Sequence, residues 1–187
     1  RNGPVLHEQM EPLSGGQQSC FYTDEENEIY TSIGADDFVV PNGETWGIRY
    51  INFAGSYGEW TGTAVDGFNV YIFEDDEGKP GDALHSFEEY TAYNEISLDN
   101  ENSAHLYELM LPSTISLEQG RYWVGIQAIL DGTLSNNWYW MNCNRPGAIE
   151  LEFHWKNPKG GFIGDHIDWS PASEVVLFGS CTLAFGI

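Results

Sequence analysis

The stretch Gly120-Arg121-Tyr122-Trp123-Val124-Gly125-Ile126-Gln127-Ala128-Ile129-Leu130 constrains the fold of this chain more than any other. It leaves a turn glycine and continues in aromatic and branched residues, a composition that favours extended backbone. Alternation puts Tyr122, Val124, Ile126 and Ala128 on one face and Trp123, Gly125, Gln127 and Ile129 on the other. Both faces are largely apolar and both need covering, which places the strand in the middle of a sheet.

The remaining chain supplies strands to set beside or opposite it. Thr45 to Phe53 reads as a strand with Trp46, Ile48 and Tyr50 on one face and Ile51 and Phe53 on the other. Phe68 to Phe73, Ala83 to Thr91, Ser103 to Leu111, Asn137 to Asn142, Ala148 to Trp155, Val175 to Phe178 and Thr182 to Phe185 read the same way. Glycine-rich or proline-rich turns separate them, and Gly55 to Gly67 reads as a long loop. With about ten strands and no amphipathic helix, the expected fold is all-β, a two-layer antiparallel β-sandwich. The 187 residues suit one domain spanning 1–187. Residues 1–27 read as an irregular lead-in, broken by Gly3-Pro4, Pro12 and Gly15-Gly16. Within it, Leu13-Ser14-Gly15-Gly16-Gln17 spells the signature of ATP-binding-cassette ATPases, but the chain has no phosphate-binding G-x-x-x-x-G-K-[ST] loop, so the match is set aside.

Charge excludes several partners. There are 29 acids against 7 bases, a formal charge of -22. Nucleic-acid phosphates need a basic footprint, and an anionic membrane surface would repel this chain. No apolar run is long enough for membrane insertion by a helix. Solvation is the main role of such a surface, with cations its natural partners. The chain starts at Arg1 and is read as a piece of a larger exported protein. Cys20, Cys143 and Cys181 are too few and too far apart in sequence for a zinc site. Two states stay open: one disulfide, with Cys20–Cys143 the favoured pair, or three buried thiols. Cys181 shares strand parity with Leu183 and Phe185.

Several motifs occur in a familiar order. Ala35-Asp36-Asp37-Phe38-Val39-Val40-Pro41 resembles the opening of secreted bacterial β-sandwich modules. Val70-Tyr71-Ile72-Phe73 followed by Gly78-Lys79-Pro80-Gly81 is similar to their strand-and-loop piece, and Leu117-Glu118-Gln119-Gly120-Arg121-Tyr122-Trp123 to their L-x-x-G-x-Y-W strand. Val176 to Gly186 resembles their terminal strand pair, so the likeness covers residues 35–187. It implies a jelly-roll-like fold, an extracellular or cell-surface location, and a non-catalytic place in exported enzymes or adhesins. It also implies a structural Ca²⁺, for which Asp36, Asp37, Asp75 and Asp76 are the candidate ligands, hard carboxylate oxygens beside turns.

Aromatic side chains carry the functional expectation. A sugar ring offers an apolar C–H face, and an exposed indole or phenol is its natural platform. The candidates are Tyr57 and Trp60 in one glycine-rich loop, Trp169 in another, and Trp138, Tyr139 and Trp140 on a strand flanked by Asn136, Asn137 and Asn142. Trp46, Trp123 and Trp155 are assigned to the core. The expected function is an extracellular binding or adhesion module for carbohydrate or another cell-surface ligand. A second reading is a polysaccharide-active enzyme using Glu150, Glu152 and His154, which strand alternation puts on one face. A third is a structural spacer. Ala54-Gly55-Ser56-Tyr57-Gly58 approaches a nucleophile elbow, but the glycines after Ser56 cannot form the helix that motif requires.

Overall fold

The computed structural model describes residues 4–11, 13–58, 65–99, 103–131, 137–143, 151–162, 164–175 and 181–187. Two very long strands form its frame: β4 (Ile33–Tyr57) and β8 (Ala104–Leu130). They run antiparallel in three stretches, Gly34–Val40 against Gly120–Ile126, Thr45–Ile48 against Ile115–Glu118, and Tyr50–Ser56 against Ala104–Met110. Register breaks at Val40/Thr45 and at Ile48/Tyr50 let the ribbon bend, as bulges do. The bent ribbon contributes one half to each of two facing layers.

In the first layer, the Gly120–Leu130 half of β8 lies between β4 and β5 (Gly67–Asp76), and β6 (Lys79–Tyr90) extends the sheet beyond β5. The strand with two apolar faces is therefore central, as its composition requires. In the second layer, the Ala104–Met110 half pairs with β7 (Tyr93–Ser97), and β4 continues to β9 (Trp138–Cys143) and β13 (Phe185–Gly186). The remaining short strands are β1 (Glu8–Gln9), β2 (Leu13–Gln18), β3 (Cys20–Tyr22), β10 (His154–Lys156), β11 (Ser170–Pro171) and β12 (Thr182–Leu183). Pairing is antiparallel apart from β3, which runs parallel to Ala128–Leu130. The protein is thus all-β and sandwich-like, with one short α-helix, α1 (Ala172–Val175), and one 3₁₀ turn, Glu28–Tyr30, among the described residues.

The core is aromatic. Phe53 and Tyr107 of the second layer meet Phe68 of the first at ring-centroid distances of 4.9 Å each, and Trp138 closes on Phe68 at 5.6 Å. Edge-to-face pairs of this kind add to the burial energy of the rings. Trp46, Trp123 and Trp155 are buried as expected. The outer face of the first layer carries Trp123 and Phe73, roofed by Leu151 and Trp169 from the segment after β9.

Several expectations are corrected. The lead-in is not irregular throughout: Leu13–Gln18 is strand β2, paired with β9 across a register shift at Gly15. Its glycines suit a bulge and a close approach, since a Cβ on Gly16 would lie 2.8 Å from Trp140 O. The loop expected from Gly55 instead begins as strand, because β4 runs to Tyr57. Leu151–Phe153 are not strand; pairing starts at His154, and residues 144–150 lie outside the described set. Val175, expected to open a strand, instead ends α1, and the rest of that expected strand, 176–178, lies outside the described residues. All three cysteines are free and buried, so there is no Cys20–Cys143 disulfide. No helix among the described residues is long and apolar enough to cross a membrane.

Candidate functional site

Three of the aromatic candidates are core residues. Trp138 and Trp140 are completely buried, and the Trp140 indole N–H donates to Ala184 O at 2.9 Å. Tyr57 is buried as well; its hydroxyl accepts from Val65 N at 3.0 Å and from the Tyr107 hydroxyl at 3.3 Å. Burial pushes the Tyr57 hydroxyl up to about 12, and burial also raises Tyr107 strongly. None of the three presents a ring face to a ligand. Trp169 is half-buried, packed edge-to-face on Phe73 with the Lys156 ammonium 4.3 Å from its centroid, so its platform is already covered by a cation–π contact. Trp60 lies outside the described residues. Tyr139, half-buried on the side of β9 away from the core, lines a cleft.

The carboxylates expected to hold calcium are dispersed and engaged. Asp36 is fully buried and accepts from Gln9 Nε2 (2.8 Å), Leu183 N (2.5 Å) and Asp37 N (2.9 Å). Burial nevertheless holds its pKa well above the usual carboxylate range. It ties β1 and the C-terminal strands to β4. Asp37 pairs with Arg121, Asp75 accepts from Trp123 Nε1 (2.8 Å) and Gly78 N (3.3 Å), and Asp76 meets Lys79 at 3.6 Å. Among the described residues no group of three or more His, Cys, Asp or Glu comes together to hold a metal. These four acids therefore do not fit a calcium site.

The alternative catalytic set does not converge in what is described. Glu152 Oε2 accepts from Ser173 N at 2.6 Å, at the start of α1. His154 sits edge-on to Trp123 with centroids 5.0 Å apart, and burial lowers its pKa. Glu150 lies outside the described residues. Ser56 is a strand residue of β4 paired with Ala104 and Tyr139, not the tip of an elbow.

An open surface site lies elsewhere, on the outer face of the second layer. Tyr50 is 38% exposed at the strand break of β4. Grooves of about 360 Å³ and about 400 Å³ flank it and share Tyr50 and Asn52 in their walls. The first is closed by Trp46, Arg49, Leu6 and Ile187, the second by Asn94, Glu108 and Met110. Strand register sets the pattern on this face. Asn52, Glu108 and Asn94 are successive cross-strand partners, and Tyr50 stands opposite Met110 in the neighbouring row. The result is an aromatic and thioether platform beside the exposed Asn94 amide and the half-buried Glu108 carboxylate, which can donate and accept, while the Asn52 amide is buried.

Sequence alternation misplaces Tyr50. Period two groups it with Trp46 and Ile48, which are buried. The register break after Ile48 reverses the parity, so Ile51 and Phe53 turn inward and Tyr50 outward. The only sequence signal was Arg49, a charged residue between two apolar runs.

No family model, no curated protein and no solved structure matches the chain.

Proposed function

We propose that this protein is a non-catalytic carbohydrate-binding or adhesion module that works outside the cell as part of a larger exported protein. The observation that carries the reading is the Tyr50 strip, an exposed phenol ring flanked by two grooves and by the cross-strand pair Glu108 and Asn94. A ring face packs on the C–H face of a sugar, and the Asn94 amide and the Glu108 carboxylate suit its hydroxyls. The motif order from Asp36 to Gly186 supports the same reading. So does the engagement of Glu152 in a backbone contact, which leaves it poorly placed as a general acid or base.

A glycan array run with Ca²⁺ and again with chelator tests the proposal, comparing wild type with Tyr50→Ala. Tyr50→Ala should weaken the wild-type hits at least about tenfold, the worth of one aromatic contact of about 1.4 kcal/mol. Its unfolding midpoint should stay unchanged, because Tyr50 is a surface residue. A blank array, or hits indifferent to Tyr50→Ala, would overturn the proposal. Consumption of a spotted glycan would favour the polysaccharide-active enzyme instead.

A further inference from the structure

The cleft beside Tyr139 shares no residue with the Tyr50 strip. It measures about 380 Å³ and opens between β2, β9 and the loop after β10. Tyr139, Trp155 and Phe162 supply aromatic walls, while Gln17 and His166 supply polar ones. Among the described residues no carboxylate, lysine or arginine lines it, although the chain carries 29 acids.

The walls are built rather than incidental. Asn157 is 1% exposed and spends its whole side chain on them. Its Nδ2 donates to Ile29 O (2.8 Å) and Thr31 O (2.7 Å), anchoring the loop to the segment before β4. Its Oδ1 accepts from Phe162 N at 3.0 Å, and its own N–H donates to His166 O at 2.7 Å. Asn157 thus positions Phe162 through its side-chain amide and His166 through its backbone N–H, and Trp155 is held from the other side by donating Nε1–H to Gln18 O at 2.6 Å. A cleft fixed in this way binds with a reduced ordering cost.

The orientation of the histidine ring follows from its partner. The Ser170 hydroxyl lies 3.4 Å from Asp168 O and 3.1 Å from His166 Nδ1. In the tautomer in which the hydroxyl donates to that carbonyl and accepts from Nδ1–H, Nε2 is left as an acceptor. The cleft then offers aromatic surface, an amide, a phenol hydroxyl and an imidazole, with no carboxylate, lysine or arginine among its described lining residues. Those groups match a single compact ring with one apolar face and several hydroxyls.

We infer that the Gln17–Tyr139–Phe162–His166 cleft is a second binding site, and that it takes one neutral pyranose ring, such as the end of a glycan chain. Asn157 acts there as a positioning residue. The test is a titration of the ¹⁵N-labelled protein with methyl glycosides of glucose, galactose and mannose. Saturable shifts of the Gln17 amide and the Trp155 indole N–H are expected for at least one of them, with Kd near about 1 mM. Gln17→Ala and Tyr139→Phe should each weaken that binding about tenfold, whereas Tyr50→Ala should leave it unchanged. Gln17 is a half-buried strand residue with Gln18 holding the buried contact to Tyr22, so Gln17→Ala keeps the test open if Tyr139→Phe does not fold. The absence of saturable shifts with all three glycosides, or shifts that persist in Gln17→Ala, would overturn the inference. Loss of array binding by Tyr50→Ala bears on the other site alone.

Discussion

Gly55 separates a packing role from a catalytic one. It stands in Ala54-Gly55-Ser56-Tyr57-Gly58, the stretch that approaches a nucleophile elbow, yet in the fold it faces the indole of Trp138. A Cβ at this position would lie 2.1 Å from Trp138 Cζ2, 2.3 Å from Cε2 and 2.5 Å from Nε1, where ordinary contact begins at 3.4 Å. The ring therefore has to retreat by more than about 1 Å for Gly55→Ala, and close packing leaves no space for that. Trp138 is completely buried, with Phe53 and Tyr107 centroids at 6.0 Å and Phe68 at 5.6 Å. Overpacking costs about 1–3 kcal/mol, and displacement of a ring held by three others belongs near the top, at about 3 kcal/mol. For a domain of this length that lowers Tm by roughly 6–12 °C. Urea and thermal unfolding measure it directly. Gly47→Ala is the control, since its nearest neighbour within 4 Å is the end of the Thr114 side chain at 3.3 Å. Combining Gly55→Ala with Trp138→Leu should cost less than the two changes summed, because the second removes the obstacle to the first. A Gly55→Ala protein within about 0.5 kcal/mol of wild type would refute the packing argument.

Other consequences can be measured alongside. Burial lowers the pKa of both His7 and His154, so their stabilising contribution is present above the ordinary value of 6.5 and lost as pH falls through the lowered values. Unfolding free energy should fall on acidification below about pH 6.5, and replacing both with Gln should flatten that slope; an unchanged slope would remove these residues as its cause. Asp36, raised by burial, works in the opposite sense, since its contribution is largest below 3.8 and is lost as pH rises. Burial pushes the Cys20 thiol up to about 12 and Cys181 up to about 11, so iodoacetamide at pH 8 should leave both unmodified in the native protein and label them in urea. Fast native labelling would contradict their burial. Asn157→Ala strands Thr31 O and Phe162 N and leaves Ile29 O with Gly161 N alone, and should destabilise by about 3 kcal/mol in urea unfolding. A neutral effect would mean that water replaces the amide.

Much of the frame was legible because alternation reports directly on covered faces. The doubly apolar stretch from Gly120 to Leu130 had to be central, and Trp46, Trp123 and Trp155 had to be buried. Trp138 and Trp140 were harder. The asparagines flanking their strand suggested a surface, but pairing of β9 with β4 turns both indoles inward and leaves Tyr139 outward. Leu13–Gln18 looked like a break because glycine weakens strands in isolation. It is a strand here because the β9 backbone needs partners along that edge. The paired acids suggested a cation, whereas their neighbours in space are Arg121, Lys79, Trp123 and backbone amides, none of them adjacent in sequence except Asp37 N.

By itself, the sequence determined which segments are extended and which of their faces must be dry, since both follow from residue type and period two. The tertiary structure alone decided where the open faces lie. The break after Ile48 turns Tyr50 outward against the parity of its own strand, and Asn157 draws Phe162 and His166 to the side of Tyr139. Both depend on register and on contacts between residues far apart in the chain, and neither is encoded in the local pattern that alternation reads.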